Sequence, residues 1–420
     1  MAARLCILLG EIGPSGGAGA VLRHARGLAA DHDFEVTIAV RSGADAAPPD
    51  LRVLDLAAAR GERFDIALST WWRTAYDLFD VPAGRRACFV QQLEERVYRE
   101  GDVERLGAAV VTALPVAFIT EAPWIAELLG ELRPDADCFV VPNGIDKRCF
   151  TPADRGAGGG PLRVLVEGSP GLWYKGIADA AAALALTREP VVSTLVTPET
   201  FDGVEALGFD RVVVGPLTAD GMADAYRDAD VLLKLSRVEG VFVPPLEAMH
   251  CATPCVVTPV TGHDEYVQHG VNGAVVDFDD LHGTAAWIDL LARDRALLGR
   301  LAEGGLATAA RWPDWAASTA GFAAALERVL AGPAQGRREA GARLLAEVDR
   351  GMEAARVALL AERRTTERIA GELAQLPELR HERDQIAERL EAIHGSRAWA
   401  IGSRLQRLAA RGRALTGRGR

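Results

Sequence analysis

The sequence predicts a two-domain α/β protein, with two doubly wound parallel sheets facing a cleft and a helical extension at the C-terminal end. Three observations lead there. Short, nearly continuous apolar runs alternate with helical patterns, as strands covered on both faces require. The alternation breaks once, at "TPADRGAGGGP", and then restarts. From about Ala340 the pattern changes to apolar positions three and four apart. A length of 420 residues also exceeds one ordinary core and fits two domains with an appendage.

In the first domain (1–152) the strands read as "LCILLG", "EVTIAV", "LRVLDL", "DIALST", "ACFVQQ", "VAFIT" and "CFVVPNG". Stretches such as "AGAVLRHARGLAADH" supply helices between them. In the second domain (160–332) the strands are "LRVLVEG", "VVSTLVT", "RVVVGPL", "DVLLKLS", "TPCVVTP" and "GAVVDF". Two such domains in series enclose a cleft, and ligands of doubly wound sheets sit beyond the carboxyl ends of the strands. Residues 338–394 carry a heptad seam through Leu345, Val348, Met352, Ala355, Leu359, Ile369, Leu373 and Leu376, interrupted by Glu362 and Thr366. Pro377 is expected to end or kink that helix, and Ile386, Leu390 and Ile393 resume the seam. Either a helix packed back on the body or a short coiled coil that self-associates through residues 340–394 fits this pattern.

Composition narrows the function. With 49% hydrophobic and 25% charged residues the chain is globular, and a net charge of −11 argues against a nucleic-acid binder. The charge is uneven, because the tail 395–420 holds seven arginines and no acid. There Trp399, Ile401, Leu405 and Leu408 share roughly one helical face, which suits an anionic membrane surface; a partner-binding or disordered end fits the same composition. The six scattered cysteines lack zinc spacing and read as buried thiols of a reducing cytoplasm. "MAARLCILLG" is too short for a signal peptide, and no run approaches the roughly 18 apolar residues of a spanning helix. The expected place is therefore the cytoplasm, peripheral at the inner membrane face if the tail docks.

The chemistry concentrates in "SRVEGVFVPPLEAM". Glu239 falls in the loop at the carboxyl end of the "DVLLKLS" strand, and Pro244 and Pro245 suit the start of a helix. Glu247 then falls in the first turn of that helix, where it either answers the helix dipole or faces the same ligand as Glu239. The amides of Gly240, Val241 and Phe242 are placed to bind an anion. Carboxylates for hydroxyls beside amides for phosphate match a nucleotide sugar. "VEGSPGLWYKG" adds Lys175 after a Gly/Pro-rich loop, a cation able to neutralise a leaving phosphate.

"EGVFVPPLEAM" resembles the Glu-x7-Glu motif of retaining family 4 glycosyltransferases, which have the two-domain GT-B fold. The resemblance spans roughly residues 5–330. It implies that Glu239 contacts the transferred sugar and Glu247 the ribose hydroxyls, while Gly240, Val241, Phe242 and Lys175 hold the diphosphate. "GEIGPSGGAGAVLRHARGLA" resembles the family's first glycine-rich loop, which implies that Gly16 and Gly17 let the backbone approach the donor phosphate or the acceptor, and they are counted with the donor site. "STWWRTAYDLFDVPAGRRACFVQQLEERVY" is similar to a region of rhamnosyltransferase-like enzymes of surface-glycan assembly, with Trp71, Trp72 and Glu94 on the acceptor side. This sequence departs from the pattern at Ser169, where many relatives have arginine, and at Phe242 and Ala252, where they have glycine. Ser69 and Thr70 occupy the region of a histidine common in relatives; Arg237 beside Glu239 is a candidate substitute for the charge missing at Ser169.

The expectation is a retaining glycosyltransferase that takes a nucleoside-diphosphate sugar, needs no essential metal or other cofactor, and modifies a glycan or lipid-linked glycan. A nucleotide-sugar epimerase or hydrolase and a non-catalytic scaffold using residues 340–394 remain the alternatives. A nicotinamide dehydrogenase is disfavoured by the glycine order.

Overall fold

The computed structural model describes residues 2–13, 16–44, 48–152, 160–200, 203–332 and 338–395. Its first sheet contains β1 (Ala3–Glu11), β2 (Phe34–Ser42), β3 (Arg52–Asp55), β4 (Phe64–Ser69), β5 (Ala83–Val90), β6 (Ala117–Thr120) and β7 (Cys138–Val140). Between them lie α1 (Gly16–Asp31), α2 (Leu56–Ala59), α3 (Trp72–Asp77), α4 (Val103–Ala109) and α5 (Pro123–Leu132). The second sheet contains β8 (Leu162–Glu167), β9 (Val191–Thr197), β10 (Arg211–Val214), β11 (Val231–Lys234), β12 (Cys255–Val257) and β13 (Gly273–Val275). Its helices are α6 (Ile177–Leu184), α7 (Ala219–Asp228), α8 (Val243–His250), α9 (Leu281–Arg293) and α10 (Arg295–Arg311); α11 (Trp315–Ala331) and α12 (Arg338–Gly395) follow.

Both sheets are parallel, with orders β3-β2-β1-β4-β5-β6-β7 and β10-β9-β8-β11-β12-β13. Every strand segment expected from the sequence overlaps one of these strands. The period of two explains why the strands read as continuous apolar runs. In β1, Leu5, Ile7 and Leu9 enter the core on one face while Cys6 and Leu8 enter the core on the other. In each sheet the winding reverses once, between β1 and β4 and between β8 and β11. Loops leaving neighbouring strands there diverge to opposite faces and open a crevice.

The two sheets belong to one compact unit, Met1–Met352. The chain crosses between them near Ile145 and returns beside it, with the Ile145 amide donating to the Pro313 carbonyl at 3.1 Å. Helix α11 lies within the range assigned above to the second domain, yet it packs on the first sheet. Its Phe322, Leu326 and Val329 are buried in the same core as Ile7, Ile38 and Phe89. The apolar face of α11 carries no label saying which sheet it covers, so the sequence placed it with its neighbours.

The start of α12 also packs on the first domain, through Leu345 and Met352. Glu353–Arg420 forms a separate unit, in whose described part Val357, Leu360, Ile386 and Leu390 are exposed. The helix runs through Pro377 rather than ending there. One lost ladder bond on an exposed helix leaves a carbonyl that water can satisfy. The boundary segment 153–159 and all of the basic tail after Gly395 lie outside the described residues. No helix among the described residues is long and apolar enough to cross a membrane. Cys6, Cys88, Cys251 and Cys255 are buried thiols, whereas Cys138 and Cys149 are only partly covered.

Candidate active site

The loops after β8 and β11 carry the first charged contact. After β8 the chain makes one short turn over Trp173–Lys175 and enters α6 through Gly176. Gly176 has φ +66°, and a side chain there would overlap the Leu235 carbonyl, so only glycine lets the two loops touch. The Arg237 amide donates to the Tyr174 carbonyl at 2.7 Å and ties them together. Lys175 Nζ is thereby held 2.9 and 3.0 Å from the two carboxylate oxygens of Glu239. Glu239 is buried and Lys175 largely covered. Burial alone would lower the Lys175 pKa, but Glu239 and Glu167 outweigh it and hold the ammonium above its ordinary range.

Glu247 occupies the fifth position of α8, which begins at Val243. It therefore lies beyond the first turn expected from the sequence, because Val243 and both prolines are helical, and the dipole reading loses its geometric basis. The Tyr226 hydroxyl on α7 donates to Glu247 Oε2 at 3.3 Å. Burial, reinforced by the negative charge of Glu167, pushes the Glu247 pKa up to about 8, against the Tyr226 hydroxyl and Arg23. Glu167 itself ends β8 and forms an ion pair with Lys234 at the end of the neighbouring β11. Burial would raise the Glu167 pKa, but Lys234 and Lys175 carry it below its usual value.

The Gly240–Phe242 segment leads straight into α8. Gly240 packs on the first domain so closely that a side chain would overlap the Gln91 carbonyl. Its own carbonyl accepts from Trp124 Nε1 at 3.1 Å. The Phe242 ring is buried, its carbonyl accepts from the Tyr266 hydroxyl, and the Val243 amide closes a tight turn on Val241 at 3.0 Å. A glycine at 242 would leave out the ring that fills the core beside Leu246 and Tyr266.

Arg237 does not join this cluster. Its guanidinium is held by Asp179, at 2.8 Å, and by Asp279, and both acids raise its pKa. Two carboxylates on neighbouring elements already compensate it, so it does not stand in for a cation at Ser169. The Ser169 hydroxyl, buried, donates to Glu199. Asp230, just before β11, pairs with Arg163 at 2.8 Å and Arg295 at 3.4 Å, a structural role.

Across the crevice, Gly16 and Gly17 open α1 after β1. A Cβ at Gly17 would meet Gln91 Oε1 at 2.8 Å, so Gln91 lies against Gly17 by its side chain and against Gly240 by its backbone. Trp71, just before α3, is 37% exposed and lies over Gly10. Trp72 is 3% exposed, packed with Ala108 and Met352, and its indole nitrogen donates to the Tyr98 hydroxyl at 2.9 Å. Adjacent rings after one strand leave one of the pair to the core, and the start of α3 makes that one Trp72, so of the two only Trp71 stays open to solvent. The Trp72 amide lies 3.2 Å from both Glu94 oxygens, in a cavity also lined by Ser69, Trp71 and Gln92. Burial drives the Glu94 pKa to about 8 despite that amide.

Sequence reasoning missed Glu167, Lys234 and Trp124. The lysine inside the otherwise apolar "DVLLKLS" was the one available signal.

The winding order, the twofold crossing and the crevice between the sheets define a GT-B protein, and solved structures share the fold. Sucrose-phosphate synthase from Thermosynechococcus elongatus superposes with a TM-score of 0.64 at 18% identity, covering 78% of this chain and 99% of that one. HepE from Anabaena, solved with UDP and glucose, gives 0.64 at 16% identity over 78% of this chain and 100% of its own. Residues 164–294 match the family described as "Glycosyl transferases group 1". The D-inositol 3-phosphate glycosyltransferase of Arthrobacter sp. (strain FB24) is 33% identical over 187 residues, 40% of this chain and 44% of that protein. The enzyme of the same name from Thermobispora bispora is 27% identical over 311 residues, 64% and 72% of the two chains. The match thus spans less than half the length of the Arthrobacter relative.

Proposed function

We propose that this protein is a glycosyltransferase that moves a sugar, with retention, from a nucleoside-diphosphate sugar to a glycan hydroxyl. The observation that carries this reading is the Lys175–Glu239 pair at the carboxyl ends of β8 and β11, where the second winding reverses and the first domain closes over Gly240. The names of the group 1 relatives and the UDP bound to HepE support a nucleotide-sugar donor.

In this reading Lys175 and the amides of the Gly240–Phe242 segment meet the diphosphate, and Gly16 and Gly17 let the first domain approach it. Glu239 orients the sugar and Glu247 accepts from the ribose hydroxyls. The acceptor oxygen attacks the anomeric carbon on the face from which the diphosphate departs. The charge that develops on the diphosphate falls beside Lys175. No covalent nucleophile and no essential metal are required.

Trp71 offers a ring face to the acceptor and Glu94 a hydrogen-bonding carboxyl, which suits a surface glycan. A deoxyhexose donor, as the rhamnosyltransferase-like region suggests, is the finer reading. The basic tail suits a lipid-linked acceptor at the inner membrane face, and the exposed apolar positions of α12 suit self-association.

Calorimetric titration with UDP, GDP and dTDP in EDTA tests the reading. Selective micromolar binding of one of them supports a metal-independent donor site, and Glu247→Ala then weakens it. Silence with and without magnesium rejects the transferase reading and leaves the scaffold.

A further inference from the structure

Of the 47 basic residues in this chain, lysine occurs only at Lys147, Lys175 and Lys234; every other cation is arginine. Two of these three flank a single glycine. A Cβ built on Gly168 would lie 3.5 Å from Lys234 Nζ and 3.4 Å from Lys175 Cβ. An ammonium is a compact point charge, whereas a guanidinium is a wide planar fork. Apart from Lys147, a chain that uses arginine for its cations has placed lysine only at this turn, where both side chains pack against one glycine.

Lys234 is an unusual place for a charge. It ends β11 and its side chain is 1% exposed. It donates to the Glu167 carbonyl at 2.9 Å and pairs with the Glu167 carboxylate. The period of two puts both on the face of Leu165 and Leu232, the side covered by α7 and α8. Stability does not account for such a pair, since an apolar pair of similar volume does as well or better. Glu167 links the two motif glutamates through its neighbours. It acts on Lys175, which holds Glu239, and its charge acts on Glu247.

We infer that Lys234 and Glu167 are positioning residues of the donor site: Lys234 neutralises Glu167, so that Lys175 is left to Glu239 and to an incoming diphosphate. The inference rests on the donor-site reading proposed above. Without Lys234, Glu167 would draw Lys175 to itself and present a bare negative charge to the phosphates. Arg237 is not available to replace Lys234, since Asp179 and Asp279 hold its guanidinium.

Two measurements on the full-length protein test this. The first is NMR of 13C-ε-lysine, simple here because the chain has three lysines. In Lys234→Met the Lys175 signal should shift and its titration midpoint rise, and Glu167→Gln/Lys234→Met should return both towards wild type. An unmoved Lys175 signal in Lys234→Met overturns the inference, whether or not any nucleotide binds.

The second measurement compares UDP with uridine, GDP with guanosine and dTDP with thymidine, using the pair whose diphosphate binds wild type. Lys234→Met should weaken the diphosphate about tenfold or more while leaving the nucleoside within about threefold, and the double variant should restore the diphosphate. Equal loss of both ligands marks a merely structural pair and overturns the inference. If no diphosphate binds wild type, the donor-site reading fails by itself, and the lysine spectra still decide whether Lys234 shields Lys175.

Discussion

At the carboxyl edge of the first sheet, Glu121 is buried and Glu94 partly buried, each without an ion pair among the described residues: Glu94 takes the Trp72 amide and Glu121 sits beside Asn143. At the same edge of the second sheet, Glu167 and Glu239 each face a lysine. The winding order is shared, and the electrostatics of these two pairs are opposite. Burial lifts the first pair to pKa values of about 8, so these carboxyls hold their protons at neutral pH and can donate as well as accept. In the second pair the lysines keep Glu167 ionised against the same burial. An edge with neutral acids and an exposed tryptophan suits sugar hydroxyls, and an edge with fixed charge suits a diphosphate. Under the proposed function, two similarly wound scaffolds would take different ligands through a few residues at strand ends.

The comparison can be broken at several points. Trp72→Ala should give the largest effect, a loss of about 3–5 kcal/mol in urea unfolding, because the indole fills a core. A loss below about 1 kcal/mol would return Trp72 to the acceptor side. Lys175→Ala should lower turnover roughly 10²–10³-fold in a folded protein, as expected when a group facing transition-state charge is removed. Unchanged turnover would mean that the charged edge does not serve the reaction.

The neutral edge makes a pH prediction. The Glu121 carboxyl sits near 8 in the folded chain and near 4.5 unfolded, so between those values the native state holds a proton that the unfolded state has released. Its contribution to stability is therefore full below about 4.5 and declines as the pH rises towards about 8. Glu121→Gln should flatten the fall of Tm across that window, by at most about 1.4 kcal/mol per pH unit. An unchanged slope would show that Glu121 is ionised in the native protein. The smallest effect belongs to Trp71→Ala, which should raise the acceptor KM severalfold, about 1 kcal/mol, with donor affinity unchanged. A loss of donor affinity instead would move Trp71 to the other side of the crevice.

Much of the molecule was legible in one dimension. The strands were readable because burial on both faces leaves a local mark, an unbroken apolar run. Glu239 and Lys175 were readable because each follows a strand directly, at a loop where ligands gather. Trp71 and Trp72 were not separable, since which of two adjacent rings turns inward depends on where α3 begins. Helix α11 was misassigned because an apolar face does not name its partner.

The sequence by itself determined the two windings, the crevice they imply and the place of Glu239 in the loop after β11, because periodicity and turn chemistry act over a few residues. Only the tertiary structure decided how charges pair. Glu167 and Lys234 are 67 residues apart and meet because β8 and β11 become neighbours where the winding reverses. Gly240 must be glycine because Gln91, from the other domain, presses its carbonyl into that space. Coulomb interactions and steric overlap depend on distance in space, and distance along the chain does not encode it.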